Sequence, residues 1–410
     1  VYRTSVTTDN GQKVDWTFTV DPSAVLGAPA PPPPPPAPLP TTAPLAPQTP
    51  FQSVTPFRLV DSRQGLGLTR LPANQQVRVR IAGQQGLPDE MSAVSANFTV
   101  DRPAGTGYLT ASNCAEASPT VSTLNFTTAD AVANQAIIPL DRGDVCLFSN
   151  VATDVIIDVN GHVSAQATQT FTPVEPRRLL DTRGSVPLTP GTVLRLDVEG
   201  GASPAPDAAV AVAVNLTATR TGETGWVRAF PCGVPETTVS SLNPRAGRDR
   251  ANSAIVATGA DGTICVTSNV TTDLLVDVMG WFGAAGARQF VPLTPLRLTD
   301  TRSSHPDLNG GGTPRLLEPG RAFRVQVAGT RGIPADARAA KLNLVALDGP
   351  GAGWLRIIAC GGTTDVSNLN YPGTIPVANG TNVMLDATGG VCITTSTPTH
   401  VIVDVSGVWR

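Results

Sequence analysis

Lysine is almost missing from this chain: Lys13 and Lys341 stand alone, and arginine supplies the rest of the 29 basic residues. Acidic and basic residues nearly cancel, leaving a net charge of −3. No concentrated basic face results, which argues against a nucleic-acid or anionic-membrane partner. Histidine is just as scarce. His162, His305 and His400 are the only ones, too few and too scattered for a Ser–His–Asp, Cys–His or His-based metal site. The chain is therefore expected to be no enzyme and to hold no metal or cofactor. No apolar run approaches the roughly 18 residues of a membrane-spanning helix. The longest, Ala208–Val214, is strand-length. No long segment carries a helical period either. Val1 brings no initiator methionine and no signal peptide, so a processed chain with upstream context is expected.

What is present is a repeat. Pro56-Phe57-Arg58-Leu59-Val60-Asp61-Ser62-Arg63 returns as Pro176-Arg177-Arg178-Leu179-Leu180-Asp181-Thr182-Arg183 and again as Pro295-Leu296-Arg297-Leu298-Thr299-Asp300-Thr301-Arg302. Asn97, Asn215 and Asn343 keep that register. So do Leu124-Asn125, Leu242-Asn243 and Leu369-Asn370, and so do Ala133-Asn134, Ala251-Asn252 and Ala378-Asn379. Each copy closes on Asp-Val-x-Gly, at Asp158, Asp277 and Asp404. Three domains follow, at 51–163, 171–282 and 290–410. Cysteines fall in pairs of near-equal spacing, Cys114/Cys146, Cys232/Cys265 and Cys360/Cys392. The repetition selects one bridge inside each domain, and with it an oxidising compartment: secreted, or on the cell surface.

Each repeat reads as about eight short strands between Gly, Pro, Asn and Asp turns. In the first they fall near Arg58–Asp61, Val77–Ala82, Ala93–Val100, Tyr108–Ser112, Val121–Phe126, Ala136–Leu140, Val145–Ser149 and Val155–Val159. The expected fold is all-β, three tandem β-sandwiches of immunoglobulin-like or jelly-roll type. The last strand is apolar on both faces, as in Leu274-Leu275-Val276-Asp277-Val278, so cover on both sides is expected. Linkers of about seven residues favour domains packed in a row, rigid and slightly curved.

The N-terminal region differs. Residues 1–27 read as a β-hairpin around Asn10-Gly11, with Val14, Trp16, Phe18 and Val20 on one apolar face. A lone hairpin is marginal in water. This strand is therefore expected to dock on another subunit or to finish a preceding domain. Residues 28–50, with an unbroken proline run from Pro31 to Pro36, read as a stiff polyproline II spacer.

The repeat resembles a module common in secreted multidomain proteins of actinobacteria. The matching residues are Arg178 to Arg183, Gly225-Trp226-Val227, Ser240 to Asn243 and Val276 to Gly280. The resemblance runs over about Phe51 to Arg410. It implies a surface or extracellular context and no reaction.

Three features compete for a role. The acids on the last strands, Asp158, Asp277 and Asp404, need charged partners. Arg63, Arg183 and Arg302 are expected to supply them as structural ion pairs. The recurrent asparagines include glycan-acceptor triplets at Asn97, Asn125, Asn215, Asn269 and Asn379, but the expected role is bonding to backbone at strand edges. Tyr108, Trp226 and Trp354 recur on one strand and alternate away from the core, where they can contact a neighbouring domain, a partner or a sugar ring. The resulting reading is a surface rod or filament subunit that self-associates, or binds other surface proteins, through its N-terminal segment. The alternative is a carbohydrate-binding or adhesive module attached to a missing upstream domain.

Overall fold

The computed structural model describes residues 2–7, 11–18, 37–44, 46–115, 121–128, 131–200 and 203–410. The chain divides into two units, Val1–Pro38 and Leu39–Arg410. In the first, β1 (Tyr2–Thr7) pairs antiparallel with β2 (Lys13–Phe18), Thr7 facing Lys13. Gly11, at φ 80°, takes the left-handed backbone that a tight turn needs. Val14, Trp16 and Phe18 occupy alternate positions of β2. Val20 and Pro31–Pro36 lie outside the described residues.

In the second unit, the described residues of repeat 1 hold the expected eight strands. They are β3 (Phe51–Asp61), β4 (Gln75–Arg80), β5 (Ala93–Asp101), β6 (Gly107–Ser112), β7 (Leu124–Phe126), β8 (Val132–Pro139), β9 (Asp144–Ser149) and β10 (Asp154–Val163). They form two antiparallel sheets, β3-β10-β5-β8 and β4-β9-β6-β7. The first strand pairs with the last and the second with the next to last. That is the double Greek key of a jelly roll and decides between the two sandwich types. Repeat 3 has the same order. Repeat 2 keeps it with a single Val227–Leu242 bridge where its counterpart of β7 would lie. One disulfide closes each repeat: Cys114–Cys146, Cys232–Cys265 and Cys360–Cys392.

Alternation along the strands explains the packing. On β5, Val94, Ala96, Phe98 and Val100 enter the core between the two sheets. Ser95 and Asn97 bond instead to groups outside that core. Both sets are buried, because the β3-β10-β5-β8 sheets of the three repeats face one another.

The row expected from the short linkers in fact closes on itself. Repeat 1 contacts repeat 2, repeat 2 contacts repeat 3, and repeat 3 contacts repeat 1. A shared apolar cluster joins Phe51, Phe171 and Phe290 with Val163, Phe282 and Trp409. Ring centroids of Phe171 and Trp409 lie 4.7 Å apart, as do those of Phe290 and Trp409. Burying each such ring contributes roughly 2–3 kcal/mol.

The chain preceding repeat 1 completes the circle. Gln169 bridges to Phe51 of repeat 1, Arg288 to Phe171 of repeat 2, and Thr49 to Phe290 of repeat 3. Thr49 thus acts as if it were a linker leaving repeat 3. Thr42 N–H donates to the Arg331 carbonyl at 2.8 Å, and Arg331 Nη2 donates to the Pro40 carbonyl at 2.7 Å. Residues 39–44 and 46–50, read from sequence as the end of a stiff spacer, are a strap along repeat 3. Proline-rich sequence cannot serve as a central strand, but it can bind an edge through its carbonyls.

The Asp-Val-x-Gly signature has two physical causes. Register slips at its third residue on the last strand of each repeat, so Asn160, Met279 and Ser406 are the extra residues of a β-bulge. At the fourth residue, a Cβ on Gly161, Gly280 or Gly407 would collide with the ring of Phe51, Phe171 or Phe290. Glycine is required where that ring lies on the backbone. Gly280→Val should therefore destabilise the protein by about 1–3 kcal/mol through overpacking, read as a fall in the denaturant midpoint. An unchanged midpoint would show that Phe171 has room to move.

Candidate functional site

The arginine–aspartate signature is assembled differently from expectation. Asp158 faces Arg58 across the β3–β10 ladder, and Arg58 grips it with Nε at 2.9 Å and Nη2 at 3.1 Å. Arg178 holds Asp277 and Arg297 holds Asp404 in the same way. Arg63, Arg183 and Arg302 do not reach those acids. They lie past the strand end and fold back on Asp61, Asp181 and Asp300, with Nε to Oδ1 at 2.8, 2.9 and 3.0 Å. The acid also accepts the arginine's own N–H, so Asp-x-Arg closes a turn. Between them, the Ser62 and Thr182 hydroxyls accept the N–H groups of Val155 and Leu274, pinning the start of the last strand. Thr301 does the same for Val401.

Electrostatics follow burial. Burial pushes Asp158, Asp277 and Asp404 up from the ordinary carboxylate range, with the paired guanidinium pulling against it. The hydrogen bonds from Arg183 hold Asp181 down at about 2.

The recurrent asparagines form three equivalent clasps between repeats. Asn97 Nδ2 donates to the Ser240 carbonyl of repeat 2 at 2.8 Å, and Asn97 Oδ1 accepts from Asn252 Nδ2 at 2.9 Å. Asn252 Oδ1 accepts the Gln135 N–H of repeat 1 at 3.1 Å. Asn215, Ser367, Asn379 and Ser253 repeat the pattern between repeats 2 and 3. Asn343, Ser122, Asn134 and Gly380 repeat it between repeats 3 and 1. The acceptor triplets at Asn97, Asn215 and Asn379 are thus buried with their amides in use. These asparagines do bond backbone, but in a neighbouring repeat as well as their own.

Where the repeats converge, equivalent positions carry unlike residues. Gln135, Ser253 and Gly380 stand at one equivalent position, and Ser95, Ala213 and Lys341 at another, and Ser253 Oγ donates to Gln135 Oε1 at 3.1 Å. Lys341 is fully buried, and its Nζ donates to Gln135 Oε1 and, at 3.4 Å, to Ser253 Oγ. Gln135 Nε2 in turn donates to Ser95 Oγ at 2.8 Å. A Cβ on Gly380 would strike the Gln135 carbonyl and approach Lys341 Nζ to 3.0 Å. The missing side chain in repeat 3 makes room for the lysine of the same repeat.

The aromatics separate. Arg228 stacks 3.6 Å from the Trp226 centroid, and Arg356 4.9 Å from that of Trp354. Tyr108 lies 6.1 Å from Phe148. Val227, Ala229, Leu355 and Ile357 enter the cores, so Trp226 and Trp354 share the opposite face with arginines. Trp354 also lines a cavity of about 510 Å³ to which all three repeats contribute, together with Asn125, Asn243 and Asn370. Sequence reasoning missed this cavity, although the thrice-repeated Leu-Asn pair marked its wall.

No family model matches the chain, and no curated protein matches it. Among solved structures, one described under "The Triple Jelly Roll Fold and Turret Assembly in an Archaeal Virus" aligns over 89% of this chain and 91% of its own, at 8% identity and a TM-score of 0.15. A second, from Sulfolobus turreted icosahedral virus, aligns over 82% of this chain and 85% of its own, at 8% identity and a TM-score of 0.16. Superpositions at that level carry no argument about this chain.

Arg178→Leu leaves Asp277 buried without its partner, and a loss of roughly 3–5 kcal/mol is expected. Arg183→Leu removes a guanidinium that is 44% exposed and should cost about 1 kcal/mol or less. Equal losses in chemical denaturation would return the staple to Arg183. Lys341 gives a pH test. Burial pushes its ammonium down to about 7, against an ordinary value of about 10.4. Between those values the unfolded chain binds a proton that the folded chain lacks, so this group raises stability as pH climbs from about 7 to about 10. Lys341→Met should flatten that slope in urea midpoints relative to the parent. A parallel slope in the variant would show that Lys341 is charged in the fold.

Proposed function

We propose that this protein is an extracytoplasmic structural protein, a rigid three-repeat block that self-associates through its N-terminal hairpin. The observation that carries the reading is the closed set of clasps. The repeating residues serve the scaffold: Arg178 holds the last strand, Asp181 and Arg183 close a turn, Asn215 and Asn252 join repeats, and Gly280 admits a ring. A chain that spends its repeated signature on rigidity suits a load-bearing or spacing role. Three disulfides favour an oxidising compartment, in keeping with the surface setting of the actinobacterial module it resembles. The hairpin is the assembly element in this reading. Two strands alone are marginal, and β2 places Val14, Trp16 and Phe18 at alternate positions, as a strand that joins a partner's sheet requires.

Sedimentation and electron microscopy of residues 1–410 and 39–410 at matched concentration test this. The cut at Leu39 spares the strap on repeat 3. Filaments or large oligomers should form from the full chain alone. Assembly by both would move the contact to the ring, and assembly by neither would remove the tail from the mechanism.

A further inference from the structure

The strap is seated on repeat 3 by a small set of groups. Thr42 N–H donates to the Arg331 carbonyl at 2.8 Å, and Thr42 Oγ1 donates to the Thr294 carbonyl at 3.0 Å. Arg331 donates to the Pro40 carbonyl through Nε at 3.0 Å and Nη2 at 2.7 Å, and Pro44 bridges Leu293. The fit is close. A Cβ on Gly332 would strike the Thr42 carbonyl, and Leu293 is fully buried. A sheet edge takes an extended peptide in this way, by main-chain bonds with a few side-chain contacts.

Repeat 1 presents the same groups. Gly83-Gln84-Gln85-Gly86-Leu87-Pro88 stands where repeat 3 has Gly329-Thr330-Arg331-Gly332-Ile333-Pro334, and Val54-Thr55 where it has Leu293-Thr294. The backbone follows. Gln85 has φ 47° and Arg331 50°, and the next residues, Gly86 and Gly332, have 85° and 88°. Gln85 Nε2 donates to the Arg58 carbonyl at 3.1 Å, as Arg331 Nη1 donates to that of Arg297, so the two side chains lie alike. What differs is the cover. Val54 is only half-buried, Thr55 and Gln85 are exposed, and a Cβ on Gly86 would meet nothing within 4 Å.

We propose that this edge of repeat 1 binds an uncharged, extended proline- and threonine-rich segment of another protein, seated on Val54, Thr55, Gln85 and Gly86 as the strap is seated on repeat 3. The groups select the class. The carbonyls of Gln85 and Thr55 take the N–H and the hydroxyl of one threonine, as those of Arg331 and Thr294 take Thr42. Gln85 keeps a second amide N–H for the carbonyl that Pro40 supplies on repeat 3. Flanking prolines have no N–H to satisfy and hold the backbone extended in advance. Residues 39–44 carry no charge, and the matching segment needs none. The chain's own tail is a poor occupant. Residues 39–44 of any copy are held on that copy's repeat 3 at high local concentration, and the proline run at 31–36 offers no threonine.

The probe is a labelled synthetic peptide of residues 37–48, titrated with the full chain and read by fluorescence anisotropy. The parent chain should bind it. Gln85→Arg gives repeat 1 the charged clamp of repeat 3 and should tighten binding at least threefold. Gly86→Ala puts a methyl where the peptide carbonyl must lie and should weaken binding at least fivefold. The open space around Gly86 spares the fold of that variant, which its melting curve checks. No binding by the parent chain overturns the proposal. Binding that neither Gln85→Arg nor Gly86→Ala alters places the peptide on repeat 3 or elsewhere and equally overturns it. Self-association of residues 39–410 that Gly86→Ala abolishes would make a second copy the occupant and overturn the choice of another protein. Filaments built through the hairpin should form unchanged in Gly86→Ala, so the two readings fail separately.

Discussion

An asparagine buried between repeats must find partners for its amide or the structure bears the cost. Each unpaired group is worth about 1–3 kcal/mol. Asn252 meets the requirement with the Ser241 carbonyl of its own repeat, with Asn97 Oδ1, and with the Gln135 N–H. Two of those three partners belong to repeat 1. Apolar contact between the inner sheets would hold the repeats together at many relative positions. The amides are satisfied at one. The ring thus owes its cohesion to the shared cluster of Phe171, Phe282 and Trp409 and its register to the clasps. Because each repeat both gives and receives a clasp, a slip in one repeat would orphan groups in both neighbours.

Much of this was legible in the sequence, and the boundary is instructive. Strand number, core alternation, disulfide pairing and the burial of the last strand all follow from local periodicity and from the repeat. The partner of Asp277 did not follow. Arg178 and Arg183 recur equally, and choosing between them needs the strand register that places Arg178 opposite Asp277. The bulge at Met279 was signalled by a glycine inside an apolar strand, but its meaning depended on where Phe171 lies. Ring closure is less local still. Asn343 and Ser122 lie in the third and first repeats, and no period within one repeat reports their contact. The clue was an asparagine recurring in the middle of a strand that otherwise reads as core.

Tandem repetition also permits what three identical copies would not. Around the convergence point, Gln135 is matched by Ser253 and then by Gly380, while Ser95 is matched by Ala213 and then by Lys341. One long amide, one hydroxyl and one empty position leave space for a single lysine. Three copies of Gln135 would overfill the site, since Gly380 has no room for a Cβ. Each repeat therefore has its own place in the ring, and exchange of one repeat for another would leave Lys341 without Gln135 or Gly380 without clearance.

The strap has a mechanical consequence. Phe290 is bridged by Thr49 on one side and paired with Trp409 on the other. Arg410 and Gln289 exchange backbone hydrogen bonds at 2.9 and 3.0 Å. A pull applied at Leu39 and at Arg410 therefore enters and leaves through the same repeat. Tension crosses the strap's contacts with Arg331, Leu293 and Phe290 and the Phe290–Trp409 pair, while the first two repeats hang outside the force path. The block would stay folded under load for as long as those few bonds resist shear, and once the strap peeled away the load would pass through all three repeats in series.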